Sequence, residues 1–151
     1  MTVRFKSTRR HLTIIGVYAP EEGRNEETEY FYENLQKEVS KWNETDYVII
    51  SGDRNARIGN KAVPGVMGTY GENHVNKTGS SLIDFAISNE LKINNSFYRK
   101  KDIYKFAWSA RGRKSIIDYV ISNKTICNQV QGVHVYRGAD IHRVRKRMYS
   151  F

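Results

Sequence analysis

Two short apolar runs set the limits on what this chain can fold into. Residues 12–19, LTIIGVYA, and residues 47–51, YVIIS, are rich in β-branched side chains and stop at Pro20 and Gly52. Runs of that length and content read as strands with apolar side chains on both faces, hence buried. Between them, Phe31, Leu35, Val39 and Trp42 repeat at helical spacing. Asn25 offers that helix a cap, and Glu26 and Glu27 suit the positive end of its dipole. A second helix is expected over residues 80–90, with Leu82, Ile83, Ala86 and Ile87 turned inward and Ser80 and Ser81 as its cap. Short strands are expected around Leu91–Asn94, Tyr104–Ser109, Ser115–Ser122 and Val130–Tyr136, with Arg111-Gly112-Arg113 turning a hairpin. Strand, helix, strand, helix, then a run of strands implies an α/β or α+β layered sheet.

The length of 151 residues fits one domain. A single cysteine, Cys127, excludes a disulfide framework and a cysteine-based zinc cluster; it reads as a packed small hydrophobe. No apolar run nears the roughly 18 residues needed to span a bilayer. The basic residues near the N-terminus have no apolar stretch behind them, so no secretory signal is expected. The expectation is an intracellular protein, nuclear or cytoplasmic, with no membrane partner. The net charge of +9 is unevenly spread. Residues 21–46 carry nine acids against three bases, most of them on the wet face of the first helix. Residues 97–114 carry seven bases against Asp102, and residues 137–147 five against Asp140. Two basic blocks beside an acidic stretch imply a face that attracts a polyanion, DNA or RNA first and a phosphorylated small molecule second.

Two segments carry chemistry. Gly52-Asp53-Arg54-Asn55-Ala56 follows a buried strand, and Asp53 and Asn55 project where open α/β sheets place their sites. The same two residues also suit an Asx-turn. Asp118, inside IIDYVI, is costly to bury unless it is paired or lies at the sheet's rim. Between the two segments, Gly59, Pro64, Gly65, Gly68, Gly71 and Gly79 punctuate a long ordered loop without regular structure. His11, His74 and His134 show no metal-ligand spacing. Trp108 reads first as core. With Tyr104 it can also interleave with Lys100, Lys101, Arg111 and Arg113 as a rim facing nucleic acid.

VYAP at Val17–Pro20, SGDRNARIG at Ser51–Gly59, NKTGSSLIDF at Asn76–Phe85, FAWS at Phe106–Ser109 and RKSIIDYVIS at Arg113–Ser122 occur in one order. In that order they resemble the endonuclease/exonuclease/phosphatase superfamily, in particular the endonuclease domains of non-LTR retrotransposons. Those domains are similar to apurinic/apyrimidinic endonucleases and to the craniofacial development protein 2-like proteins. The resemblance covers about residues 12–144, with a basic segment at 1–11 before it and a basic tail at 145–151 after it. It implies a hydrolase that cuts DNA phosphodiesters with Mg²⁺ or Mn²⁺. By resemblance Asp53 orients or deprotonates the attacking water, and Asn55 and Tyr18 contact the scissile phosphate. Asp118 pairs with the catalytic histidine, for which His142 is the match, and Asn76 is a site asparagine. Trp108, Arg111 and Arg113 would bind substrate.

The departures carry equal weight. Arg137-Gly138-Ala139-Asp140-Ile141 runs straight into His142, so the metal-linked aspartate of the usual Ser-Asp-His box has no match, and Asp140 is displaced from that place. Arg54 stands where the family has an aromatic residue and is expected to add exposed positive charge. The family's earlier segment, with an asparagine and the metal-binding glutamate, has no match either, so no metal ligand is assigned. The expectation is an incomplete four-layer αββα sandwich lacking its N-terminal part. Such a chain leaves an apolar sheet face open, binds metal poorly, and is weakly active or inactive without a partner chain or the missing half. Two alternatives stand beside this reading: a catalytically dead nucleic-acid-binding or interaction module, and a phosphatase of the same superfamily.

Overall fold

The computed structural model describes residues 1–101, 108–110, 113–116 and 118–134, and of 108–110 and 113–115 only the strand path. Five strands form one mixed sheet. In chain order they are β1 (Thr2–Phe5), β2 (Leu12–Tyr18), β3 (Tyr47–Asp53), β4 (Leu91–Ile93) and, after a separate hairpin, β7 (Asp118–Asn123). Their order across the sheet is β1-β2-β3-β7-β4. The β2–β3 pair is parallel and the other three pairs are antiparallel. A parallel pair needs a crossover, and α1 (Asn25–Val39) supplies it. The α/β class expected from the order of elements is borne out. The basic leading segment contributes an edge strand of its own, β1.

Register sorts the side chains by face. Thr13, Ile15, Val48, Ile50, Tyr119, Ile121, Leu91 and Ile93 share one face, and all are buried. Leu35 of α1 and Leu82, Phe85 and Ala86 of α2 (Lys77–Ser88) join them in one hydrophobic cluster. Burying each large aliphatic side chain contributes about 1.5–3 kcal/mol, so this helix-covered face is the main source of stability. The other face carries Val3, Phe5, Leu12, Ile14, Ile49 and Val120, none fully buried, with Val3 39% and Phe5 54% exposed. The expectation that both faces of β2 and β3 are buried therefore fails. Their apolar content reflects one packed face and one that stays partly exposed among the described residues.

Other boundaries also moved. The second helix starts at Lys77, capped by Asn76, whose Oδ1 accepts from the Gly79 N–H at 2.8 Å. Ser80 and Ser81 lie inside it and bond back to the carbonyls of Asn76 and Lys77 instead of capping. The expected strand at Ser115–Ser122 is two strands, β6 (Arg113–Ser115) and β7. β5 (Trp108–Ala110) and β6 form the expected hairpin. Residues 130–134 of the expected Val130–Tyr136 strand form no ladder. They are held by side chains instead, with Tyr98 Oη donating to the Val130 carbonyl and Lys100 beside the His134 ring. No helix among the described residues is long and apolar enough to cross a membrane.

Candidate active site

Three strands deliver three polar side chains to one row. Tyr18, the last residue of β2, is in register with Asp53, the last of β3. Asp53 is in turn in register with Asp118, the first of β7. Directly paired residues point to the same face, so Tyr18, Asp53 and Asp118 share one end of the open face. Asp118 resolves its apparent cost by position, since it opens its strand at the sheet's rim and is exposed. Partial burial, and then the Asp53 carboxylate, push its acid above the usual aspartate range. Tyr18 is 70% exposed.

Gly52 explains the glycine that precedes Asp53. Its φ is +141°, and a Cβ there would lie 2.0 Å from the Val17 carbonyl oxygen. Only glycine lets β3 run this close to β2, and that approach aligns Asp53 with Tyr18. Beyond the strand the chain turns at Asn55, at φ +46°. The Asn55 N–H donates to Asp53 Oδ1 at 2.9 Å, which is the Asx-turn, and Asn55 Nδ2 donates to the Ala19 carbonyl at 3.0 Å. The turn and a site role are compatible, because the same bonds fix both side chains in place.

Asn76 lies 6% exposed beneath this loop. Its Oδ1 accepts from the Arg57 N–H at 2.9 Å as well as from Gly79, and its Nδ2 donates to the Asn55 carbonyl at 3.4 Å. Asn76 therefore clamps the Asn55 turn onto the start of α2. Thr78 adds a bond from Oγ1 to the same Asn55 carbonyl at 2.8 Å. The Tyr119 hydroxyl, 2% exposed, donates toward the carbonyls of Ala56 at 3.0 Å and Ile116 at 2.9 Å, tying the two motifs together. Asn95 bonds the Asp118 carbonyl and the Val120 N–H, and so fixes the start of β7. Thr78, Tyr119 and Asn95 had no assigned role. The visible signals were Thr78 and Tyr119 inside the quoted motifs and a polar Asn94-Asn95 pair following an apolar strand.

Arg54 corrects an expectation. It is fully buried, 5.7 Å from the Phe31 ring, and adds no exposed charge. It follows the last residue of β3, and its side chain turns under α1 to the Phe31 ring. Among the described residues none of its guanidinium nitrogens has a hydrogen-bond partner, and burial pulls its pKa down to about 10. Of the remaining candidates, Trp108 opens β5 and Arg113 opens β6, where the strand path alone is described. Tyr104, Arg111, Asp140 and His142 lie outside the described residues. Among the described residues no three His, Cys, Asp or Glu side chains come together as a metal site. Asp53 and Asp118 are two carboxylates with no third His, Cys, Asp or Glu beside them among the described residues, so further oxygen donors would be needed to complete a site for a divalent ion.

No protein-family model matches the chain. The chain is 36% identical over 146 residues to craniofacial development protein 2 from Bos taurus, covering 93% of this chain and 24% of that protein. It is 35% identical over 146 residues to craniofacial development protein 2 from Tragulus javanicus, covering 93% of this chain and 25% of that protein. The resemblance to craniofacial development protein 2 read from the motifs is borne out. The chain spans about a quarter of the length of these curated relatives. Among solved structures it is similar to an endonuclease/exonuclease/phosphatase family protein from Leptotrichia buccalis C-1013-b, at 18% identity and a TM-score of 0.49 over 82% of this chain and 42% of that one.

Proposed function

We propose that this chain, a relative of craniofacial development protein 2, carries the water- and phosphate-positioning part of a phosphodiesterase site that acts on DNA. The supporting observation is the register that sets Tyr18, Asp53 and Asp118 side by side across three strands, with Asn55 fixed just beyond. Hydrolysis of a phosphodiester needs an oriented water on one side of phosphorus and a stabilised leaving oxygen on the other. Asp53 is the group to orient that water and accept its proton. Asn55 spends one amide N–H on Ala19 and keeps the other for a phosphate oxygen. The exposed Tyr18 hydroxyl donates to the same phosphate. Asp118 is suited to hold a histidine in one tautomer, and His142 is the candidate.

The resemblance implies a divalent ion, Mg²⁺ or Mn²⁺. The described residues supply two carboxylates toward it, and the other donors come from outside them. On this reading, in which the family's glutamate and the aspartate of the Ser-Asp-His box have no match in the sequence, the chain holds the ion weakly and cuts slowly. The test is nicking of supercoiled plasmid by the chain and its Asp53→Ala variant in millimolar Mn²⁺. The expected result is slow nicking that the variant loses. Equal rates in the two would sink the catalytic reading, and rapid nicking by the chain alone would overturn its weakness.

A second reading, a binding module without catalysis, is favoured by cations laid over aromatic rings beside the basic block. Lys92 Nζ sits 4.3 Å from the Phe97 ring centroid and Lys100 Nζ 5.6 Å from that of Tyr98. Such a surface suits a nucleic-acid backbone. A phosphatase of the same superfamily has no observation of this kind in its favour.

A further inference from the structure

α1 and α2 lie side by side over the sheet without closing on each other. At one end Gln36 and Asn89 exchange amide hydrogen bonds of 2.9 and 2.8 Å. Nearer the middle, the Tyr32 and Phe85 rings meet at 5.3 Å. Above them runs a groove of about 780 Å³ between the helices. Glu29 and Glu33 rise from one wall and Asp84 from the other, and Lys37 is the cation among its lining residues. The three carboxylates are exposed and make no salt bridge among the described residues.

We propose that this groove is a docking site for a basic segment of a partner protein, an extended stretch rich in lysine or arginine. Charge complementarity selects the occupant. On a chain of net charge +9 this cleft is locally acidic, so it repels the polyanion that the rest of the surface attracts. Its floor is aromatic. The alkyl stem of a lysine or arginine lies along the Tyr32 and Phe85 rings while its charged head reaches Glu33 or Asp84. Dimensions fix the length. From Thr28 to Gln36 the wall rises about 12 Å at 1.5 Å per helical residue, which matches about four extended residues. Both walls belong to the helical layer, whereas Asp53 and Asp118 stand on the open sheet face. Docking here therefore leaves the proposed phosphodiester site uncovered, and the proposal does not rest on that site's chemistry.

The test is fluorescence anisotropy of a labelled eight-residue peptide with arginine at alternate positions. It is titrated with the full chain and with a Glu33→Lys/Asp84→Lys double variant. Both positions are exposed, so the variant should keep the parent's thermal midpoint. Saturable binding that weakens at least tenfold in the double variant, and with rising salt, is the expected result. Absent binding, or binding that survives the double reversal, overturns the proposal. So does binding that appears only after the arginines within 137–147 are changed to glutamine, because the chain's own basic block would then be the occupant.

Discussion

Arg54 is the least satisfied residue in the described fold. With no hydrogen-bond partner among the described residues, its buried guanidinium forgoes hydration and gains the Phe31 ring and the nearby Tyr32. Replacing even a buried ion pair by apolar residues of similar volume is often neutral to stabilising by about 1–4 kcal/mol, and an unpaired guanidinium has less interaction to lose. Arg54→Met should accordingly unfold at equal or higher denaturant, measured by the urea midpoint at constant m. A lower midpoint would mean that Arg54 has a partner here. Asp118 is the counterpart on the open face. Its acid is raised in the folded state, so the folded chain binds a proton more readily than the unfolded chain between the two pKa values. Stability therefore falls as pH rises from the ordinary carboxylate value of 3.8 through the raised folded value. Asp118→Asn removes that loss. Its thermal midpoint should exceed the parent's at pH 7, and the gap should close as pH is lowered toward 3. A gap that does not vary with pH would exclude the ionisation of Asp118, penalised first by partial burial and then by the Asp53 carboxylate, as its source.

Among the elements, β7 has the most to do. It pairs with β3 and β4, delivers Asp118, and sends the Tyr119 hydroxyl down to the loop that holds Asn55. Tyr119→Phe keeps the ring in the core and strips the bonds to Ala56 and Ile116. A lost buried hydrogen bond costs about 1–3 kcal/mol. Amide exchange across residues 53–57 should rise more than exchange across β2, whose partners are untouched. Uniform acceleration would argue that Tyr119 only fills volume. The element boundaries show why sequence periodicity misplaced α2. Ser80 and Ser81 are good capping types, but Asn76 sits one turn earlier at an extended φ of −102° with its side chain already spanning Arg57 and Gly79. The loop's need to anchor Asn55 decided where the helix starts.

For the whole molecule, the question is which surface meets a polyanion. Arg99, Lys100 and Lys101 are the bases of the 97–114 block whose side chains are described, and Arg113 and Lys114 follow in β6. Binding to duplex DNA should weaken with salt, with a log–log slope of about −0.9 for each phosphate neutralised. Changing Lys100 and Lys101 to glutamine should lower the slope's magnitude by up to about 2 on the same scale, and chelator should leave it unchanged. Filter binding between 50 and 300 mM salt measures it, and a slope unchanged by the two lysine substitutions would move the contact elsewhere.

Sequence alone determined the local facts. Apolar runs, turn residues and helical spacing gave the strands, the crossover helix and the α/β class, because those depend on neighbours in the chain. The GDRNA and IIDY segments were legible as a pair because their residue types are unusual where they stand. The tertiary structure decided what no local pattern encodes: which strands become neighbours and in what register. That register set Tyr18, Asp53 and Asp118 in one row and, among the described residues, left one face of the sheet partly exposed. Side-chain direction alternates along a strand, so a residue's face is fixed only once its partners across the sheet are known.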